Sequence, residues 1–201
     1  MKHILLSIRP QWIAKILNGE KTLEIRKSCP KCELPCEVYI YCTKGGEQLV
    51  DCPQWVENEL YHQLRYDEDI ALLRNSQALL NGKVVAKFTL NKVEAICCEG
   101  LENGCGGHNY FYSLEDGEDI RKKACLDEFD LRNYLGTKLD GDEVGYAWHI
   151  DNLVIFDKPK ELEEFEYPNP SGIRNIGQRT IKGLPSKKHP PQSWCYVEVD
   201  E

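Results

Sequence analysis

The stretch from Leu5 to Lys27 constrains the fold more than any other part of the chain, because it predicts three elements in direct succession. Residues 5–9 alternate at a period of two, as in a β-strand, and Pro10 is suited to the first position of a helix. Apolar residues at 12, 13, 16 and 17 share one face of that helix, which Asn18-Gly19 can end. Residues 21–26 alternate again. The stretch therefore predicts a strand, a helix and a second strand.

The second predicted strand carries polar side chains on one face only. Alternation places Leu23 and Ile25 on one face and Glu24 and Arg26 on the other, while Lys21, at the turn, can reach either side. A guanidinium can bind a phosphate or a base carbonyl through two parallel hydrogen bonds, and a carboxylate can orient it. The same residue types also build purely structural ion-pair networks. The residues alone leave both interpretations open.

Two later segments complete a pattern that resembles a known family. The run Gly19–Arg26, with Ser7–Pro10 and Trp12 before it, resembles the signature of the ASCH domain family. The segments Gly145–Ile150 and Gln192–Val197 are similar to later strands of that family. The resemblance covers most of the chain. It implies an α+β fold, namely a PUA-like mixed β-barrel with peripheral helices.

The resemblance also implies a function and a site. It implies that RNA or a modified nucleoside binds in a polar cleft lined by Lys21, Glu24 and Arg26. Arg9 and Trp148 are further candidates for ligand binding, and the indole of Trp148 would offer a stacking surface for a base. We expect neither a metal ion nor another cofactor in this cleft.

An enzymatic function is the alternative. Compact members of the ASCH family resemble this chain and hydrolyse N4-acetylcytidine, with a catalytic lysine at the position that matches Lys21. If this chain were such an enzyme, Lys21 would act as a base or nucleophile, and Glu24 would transfer a proton. The chain departs from that branch, which has threonine at the position of Glu24 and a catalytic glutamate in a later segment that we cannot match. A ribonuclease is the third possibility.

Length, charge and the absence of targeting signals narrow the class of protein. With 201 residues, we expect one domain, 1–201, with a helical insertion near 53–82 and an irregular excursion near 167–191. The formal net charge of −8 argues against coating of duplex DNA. No apolar run is long enough to cross a membrane or to form a secretory signal. We therefore expect a cytoplasmic protein whose ten cysteines are reduced.

Positive charge is concentrated at the two ends of the chain. Residues 1–44 contain eight Lys or Arg against four acidic residues, and residues 167–197 contain five basic residues and no acidic one. If the first and last strands pair, these basic residues can form one anion-binding patch. Whether the basic segment 171–190 also covers the cleft is left open by the sequence.

Three closely spaced cysteines raise the question of zinc. Cys29, Cys32 and Cys36 have the spacing of half a zinc site, and a fourth ligand would have to come from Cys42, Cys97, Cys98, Cys105 or His108. A second closely spaced pair is missing, because Cys97 and Cys98 are adjacent. The spacing is therefore a weak indication of zinc, and we predict no metal ligand.

Local patterns predict the remaining elements. Asp127 and Gly136 are a typical N-cap and C-terminal glycine, which predicts a helix between them. We expect a loop over residues 99–112. The predicted strands cover residues 38–42, 83–96, 144–150, 153–156 and 193–199.

Overall fold

The computed structural model describes residues 3–45, 48–51, 61–64, 79–102, 108–114, 120–137, 140–166 and 189–199. The chain divides into two compact units that interleave along the sequence. The first unit comprises Met1–Ile13, Glu37–Phe88 and Val154–Glu201, and the second comprises Ala14–Cys36 and Thr89–Leu153. The predicted single domain of residues 1–201 stays a prediction.

The described residues form twelve strands, three α-helices and one 3-10 helix. In chain order the elements are β1 (His3–Ile8), α1 (Pro10–Leu17), β2 (Leu23–Arg26), β3 (Cys36–Cys42), β4 (Gln48–Asp51), β5 (Tyr61–Leu64), β6 (Val84–Leu90), β7 (Val93–Glu102), β8 (His108–Leu114), α2 (Arg121–Ala124), α3 (Glu128–Leu135), β9 (Asp140–His149), β10 (Asp151–Lys160), the 3-10 helix (Leu162–Glu164), β11 (Phe165–Glu166) and β12 (Trp194–Val199). In this part of the chain, no helix is long and apolar enough to span a membrane.

A six-stranded mixed sheet organises the first unit, in the order β10-β6-β3-β1-β12-β11. The central strand β1 pairs in parallel with β3 and antiparallel with β12, so that Leu5 lies opposite both Tyr39 and Cys195. All six residues of β1 are buried, as expected of a strand with neighbours on both sides. The unit packs around Leu5, Tyr39, Tyr41, Val84, Leu162, Phe165 and Val197.

The pairing of β1 with β12 brings the two chain ends together, as the basic-patch hypothesis requires. The basic residues of the C-terminal segment, from Arg174 to Lys188, lie outside the described residues. The basic patch and the covering of the cleft by segment 171–190 therefore stay predictions.

The predicted helical insertion near 53–82 contains a strand. Residues Tyr61–Leu64 pair antiparallel with Gln48–Asp51, and Leu79 forms a bridge with Val50. The helix prediction is wrong for these four residues, because a spacing of four between leucines at 60 and 64 fits a period of two as well as a helical period. Residues 52–60 and 65–78 lie outside the described residues.

A four-stranded antiparallel sheet, in the order β2-β9-β7-β8, organises the second unit. One face of this sheet builds the core with the helices α2 and α3; the core residues are Leu23, Ile25, Ile96, Cys98, Tyr112, Leu114, Ile120, Ala124, Leu131 and Ala147. Leu23 and Ile25 thus lie on the apolar face, as the alternation predicted.

The helix ends follow the predicted signals. Gly19, with φ of +77°, takes the left-handed conformation after α1, and such a conformation favours glycine. The side chain of Asp127 accepts a hydrogen bond of 2.8 Å from the backbone N–H of Asp130 at the start of α3, and Gly136 ends that helix. The short helix α2 was not predicted.

Two predicted elements have different boundaries. The long strand predicted over residues 83–96 is interrupted at Asn91 and Lys92, so that β6 joins the six-stranded sheet and β7 joins the four-stranded one. The loop predicted over residues 99–112 is wrong for most of its length, because β7 extends to Glu102 and β8 starts at His108. Cross-strand pairing of β7 with β8 outweighs the weak strand propensity of the glycines.

Candidate functional site

The turn between α1 and β2 fixes where the polar side chains begin. The backbone N–H of Lys21 donates to the carbonyl of Lys15 in α1 at 3.0 Å. The next residue, Thr22, donates its N–H to Lys123 and accepts from the N–H of Ile150. These backbone hydrogen bonds connect the residues before β2 to α1, α2 and the end of β9. They hold the backbone of Lys21 in place independently of its side chain.

The carboxylate of Glu24 bridges two cationic side chains. Its Oε1 lies 2.9 Å from Nη2 of Arg26, and its Oε2 lies 3.4 Å from Nζ of Lys21. Glu24 and Arg26 are two residues apart on one strand, which places their side chains on the same face. We call Lys21, Glu24 and Arg26 the ionic cluster. The structure therefore brings together the three residues that the sequence singled out.

The ionic cluster is removed from water. The exposed fractions are 3% for Lys21, 6% for Glu24 and 8% for Arg26. Burial of charge is costly unless the charges are paired, and here the single carboxylate of Glu24 is paired with both cations. Burial lowers the pKa of Lys21, and the attraction of Glu24 offsets this only in part. Lys21 thus gives up its proton more readily than an exposed lysine.

The ammonium of Lys21 has a second partner at the end of α2. Its Nζ donates to the carbonyl oxygen of Ala124 at 2.7 Å. This carbonyl belongs to the last turn of α2, where backbone oxygens lack helical partners. The contact was not predicted, because every residue has a backbone carbonyl and the sequence does not show which one approaches Lys21. That approach depends on how α2 packs.

The strand β9 supplies the aromatic neighbours of the ionic cluster. Trp148 lies directly opposite Glu24, and Tyr146 lies opposite Arg26. Trp148 is completely buried, with 0% exposure, whereas Tyr146 is half-buried. A role for Trp148 in stacking on a base stays a prediction. Of these two aromatic residues, Tyr146 is the more accessible. Its place opposite Arg26 follows from the strand register, which cannot be read from the sequence.

A glycine allows β9 to approach β2 closely. A Cβ atom at Gly145 would lie 3.0 Å from the carbonyl oxygen of Arg26 and 2.5 Å from Cδ2 of Leu135. The first of these contacts is to backbone, which cannot move without displacing β2. Gly145 therefore determines how closely the strand that carries Arg26 packs.

Arg9 is a predicted binding residue, and His149 is a titratable residue next to Trp148 in the sequence. Arg9 is an exposed residue of the first unit, where its carbonyl accepts from the N–H of Trp12 at the start of α1; its role in binding stays a prediction. His149 follows Trp148 on the opposite face of β9 and is hydrogen-bonded to Glu94. The structure does not place His149 with the cluster.

The cysteine-rich loop does not form a metal site in the described part of the chain. There, no group of three or more His, Cys, Asp or Glu side chains is arranged to hold a metal ion. The thiol of Cys29 donates to the carbonyl of its neighbour Pro30, whereas the sulfur atoms of Cys32 and Cys36 lie 3.5 Å apart.

Comparison with solved structures decides the fold. The crystal structure of ASCH from Zymomonas mobilis is similar to this chain with a TM-score of 0.50 and 15% identity, over 98% of this chain and 87% of that one. The chain has an ASCH-like fold. Two mutants of the same Zymomonas mobilis protein are also similar, with TM-scores of 0.48 and 0.47, identities of 15% and 14%, and coverage of 98% of this chain and of 91% and 88% of theirs. No protein-family model matches the sequence, and no curated protein does.

The ASCH-like fold confirms the fold that the resemblance of the signature residues implies. The α+β class and the mixed sheet are as predicted. In this ASCH-like fold, β2 turns Leu23 and Ile25 to the core and Glu24 and Arg26 to the other face. At 15% identity the likeness concerns the fold, and function must be argued from the cluster itself.

Proposed function

We propose that the chain binds RNA or a nucleotide-like ligand through the ionic cluster. The observation that supports this function is the bridge by one buried carboxylate, Glu24, between the guanidinium of Arg26 and the ammonium of Lys21. A guanidinium offers five N–H donors in a rigid plane, more than one carboxylate can accept. This geometry suits a phosphate or the carbonyl of a base.

Each member of the cluster has a distinct role in this proposal. Arg26 donates to the ligand, and Glu24 fixes the plane of the guanidinium and accepts from an exocyclic amine. Lys21 holds Glu24 from the other side and is itself held by the carbonyl of Ala124. Such preorganised polar groups in a dry site discriminate between ligands, because a mismatched ligand leaves one of them unpaired. The ASCH-like fold supports the proposal by analogy.

A purely structural cluster is the competing explanation, since Lys21 stabilises the end of α2 and Glu24 neutralises Arg26. The two explanations differ in the expected effect of removing Arg26. A structural role predicts loss of stability only, whereas a binding role predicts loss of affinity in a protein that remains folded. Binding and stability must therefore be measured on the same variants.

The test compares Arg26→Ala with Lys27→Ala. Both changes remove one positive charge, but Lys27 is exposed and stacks over Tyr134 at 5.4 Å. Fluorescence anisotropy with a labelled short single-stranded RNA, and thermal shift with a panel of modified nucleosides, measure affinity. We expect Arg26→Ala to weaken binding about tenfold or more, as for a lost charged hydrogen bond, and Lys27→Ala to change it less than about twofold. Unchanged affinity in a folded Arg26→Ala protein would exclude this site.

Hydrolysis of N4-acetylcytidine is a second candidate, and the lowered pKa of Lys21 favours it. Burial increases the share of neutral amine at Lys21, and a neutral amine can act as a base or nucleophile. The carboxylate of Glu24, 3.4 Å from that amine, would pass the proton to the departing amine of cytidine.

Incubation with N4-acetylcytidine and detection of free cytidine separates the two functions. Release that disappears in Lys21→Ala and persists in the partly exposed control Lys15→Ala would establish hydrolysis. No release, together with measurable ligand binding, favours the binding function. Incubation of the same proteins with structured and unstructured RNA tests for a ribonuclease.

A further inference from the structure

Two thiols of the loop after β2 lie in contact. The sulfur atoms of Cys32 and Cys36 are hydrogen-bonded at a distance of 3.5 Å. Cys32 is half-buried in the loop, and Cys36 is the buried first residue of β3. The third cysteine of the loop, Cys29, is directed to the carbonyl of Pro30 at 3.6 Å. The structure thus selects one pair from three cysteines that the sequence leaves equivalent.

The geometry of this pair is close to that of a disulfide. A disulfide needs a sulfur separation of about 2.05 Å, so the two sulfurs must approach by about 1.5 Å from the observed 3.5 Å. The three residues between them, Glu33, Leu34 and Pro35, are all exposed. The two sulfurs can therefore approach through movement of surface residues in the loop, without movement of the packed core.

We propose that Cys32 and Cys36 are a reversible thiol–disulfide pair that is oxidised by a low-molecular-weight disulfide such as glutathione disulfide. The two thiols have unequal roles. Cys32 is the more accessible of them, so it meets the oxidant first. Cys36 is shielded from a bulky reagent but lies within reach of Cys32.

The raised pKa of Cys36 agrees with this order. Burial, assisted by the hydrogen bond with Cys32, raises the pKa of Cys36 to about 12. A thiolate is the attacking species in thiol–disulfide exchange, so Cys36 stays inert while Cys32 is a free thiol. Once Cys32 carries glutathione, its sulfur is the target of attack by Cys36.

The reaction proceeds in two exchanges and needs no other oxidant. The thiolate of Cys32 attacks one sulfur of glutathione disulfide, which forms a mixed disulfide and releases one glutathione. Cys36 then loses its proton and attacks the sulfur of Cys32, which releases the second glutathione. The two cysteines lose two electrons and two protons, and one glutathione disulfide becomes two glutathione molecules. Excess glutathione reverses both steps.

Peptide mapping of the 201-residue chain tests the proposal. The reduced protein is equilibrated in glutathione buffers until half of the half-buried reference thiol Cys125 is modified, quenched with acid, alkylated and cleaved with trypsin and a glutamate-specific protease. Cleavage after Lys31 and Glu33 separates all three loop cysteines. We expect residues 32–33 joined to residues 34–37 by a disulfide that excess thiol removes.

Two variants and a metal measurement complete the test. Cys29→Ser should retain the Cys32–Cys36 disulfide, whereas Cys36→Ser should accumulate glutathione on Cys32. The proposal is overturned if Cys32 and Cys36 both stay reduced when Cys125 is modified, or if Cys29 is the partner of either. It is also overturned if the purified protein holds one zinc ion per chain that protects these thiols from oxidation.

Discussion

The carboxylate of Glu24 lies 2.9 Å from the guanidinium of Arg26, and both side chains are almost completely buried. Removal of one partner from a buried ion pair at this distance destabilises a protein far more than removal of one partner from an exposed pair. Because Glu24 also neutralises Lys21, its removal would leave two buried cations without the carboxylate that bridges them. Glu24 is therefore the residue on which the stability of the ionic cluster depends most.

Glu24→Gln should destabilise the protein by about 3–5 kcal/mol, which is typical when one partner of a buried ion pair is removed. The amide keeps the shape of the carboxylate, so that the loss reports on charge. Urea denaturation followed by circular dichroism measures the change in the free energy of unfolding.

Glu20→Gln is the matched control for that measurement. Glu20 forms an exposed ion pair with Lys15 at 3.3 Å, four residues before Glu24. Exposed pairs contribute about 0–1 kcal/mol, so this variant should be nearly as stable as the original protein. Equal stability of the two variants would contradict the burial of the cluster.

The stability of the protein should depend on pH through Lys21. Its pKa is lowered in the folded state, chiefly by burial, so between that pKa and the unfolded value of about 10.4 the unfolded chain binds a proton that the folded chain has lost. The free energy of unfolding therefore rises with pH in this window, at up to about 1.4 kcal/mol per pH unit from this group. In Lys21→Met that rise should be missing.

Lys15→Met controls for other groups that titrate over the same pH range, because Lys15 is a partly exposed residue of α1. Denaturation of the three proteins from neutral pH to about pH 10 isolates the contribution of Lys21. Parallel curves for the original protein and Lys21→Met would mean that the pKa of Lys21 is not lowered.

Arg26→Lys should separate charge from geometry in RNA binding. Lysine keeps the positive charge but lacks the planar fork of donors, so affinity should fall about tenfold while the dependence on salt is retained. Arg26→Ala should lose affinity and also lower the salt slope by about 0.7, the value for one phosphate contact on a single strand. Anisotropy titrations at several salt concentrations measure both quantities. Full affinity in Arg26→Lys would show that only charge matters at this position.

Gly145→Ala should destabilise the second unit by about 1–3 kcal/mol, as overpacking does. The added methyl group would press on the carbonyl of Arg26 and on Leu135. Gly45→Ala is the control, because a Cβ there meets nothing within 4 Å. Thermal unfolding compares the two variants. If Gly145→Ala were as stable as Gly45→Ala, the close approach of β9 to β2 would not constrain the position of Arg26.

Local sequence patterns were sufficient to predict an element where its own residues determine its conformation. The helix after Pro10, the capping of α3 by Asp127 and the two faces of β2 were all predicted, because helical and strand periods appear directly in the spacing of apolar residues. The helix prediction failed at Tyr61–Leu64, where the spacing fits both periods and pairing with β4 decides the outcome. The uninterrupted strand over residues 83–96 failed because two sheets share that segment.

The sequence by itself determined that Glu24 and Arg26 lie on the face of β2 opposite to Leu23 and Ile25, since alternation separates them, and that Lys21 lies at the turn before this strand. Tertiary structure alone decided that Glu24 lies opposite Trp148, that Lys21 reaches the carbonyl of Ala124, and that Cys32 contacts Cys36. The physical reason is that strand register and helix docking are set by packing between distant segments. Burial couples the three charges of the ionic cluster more strongly than exposure would. The low-dielectric interior strengthens the ion pairs and makes an unpaired charge costly.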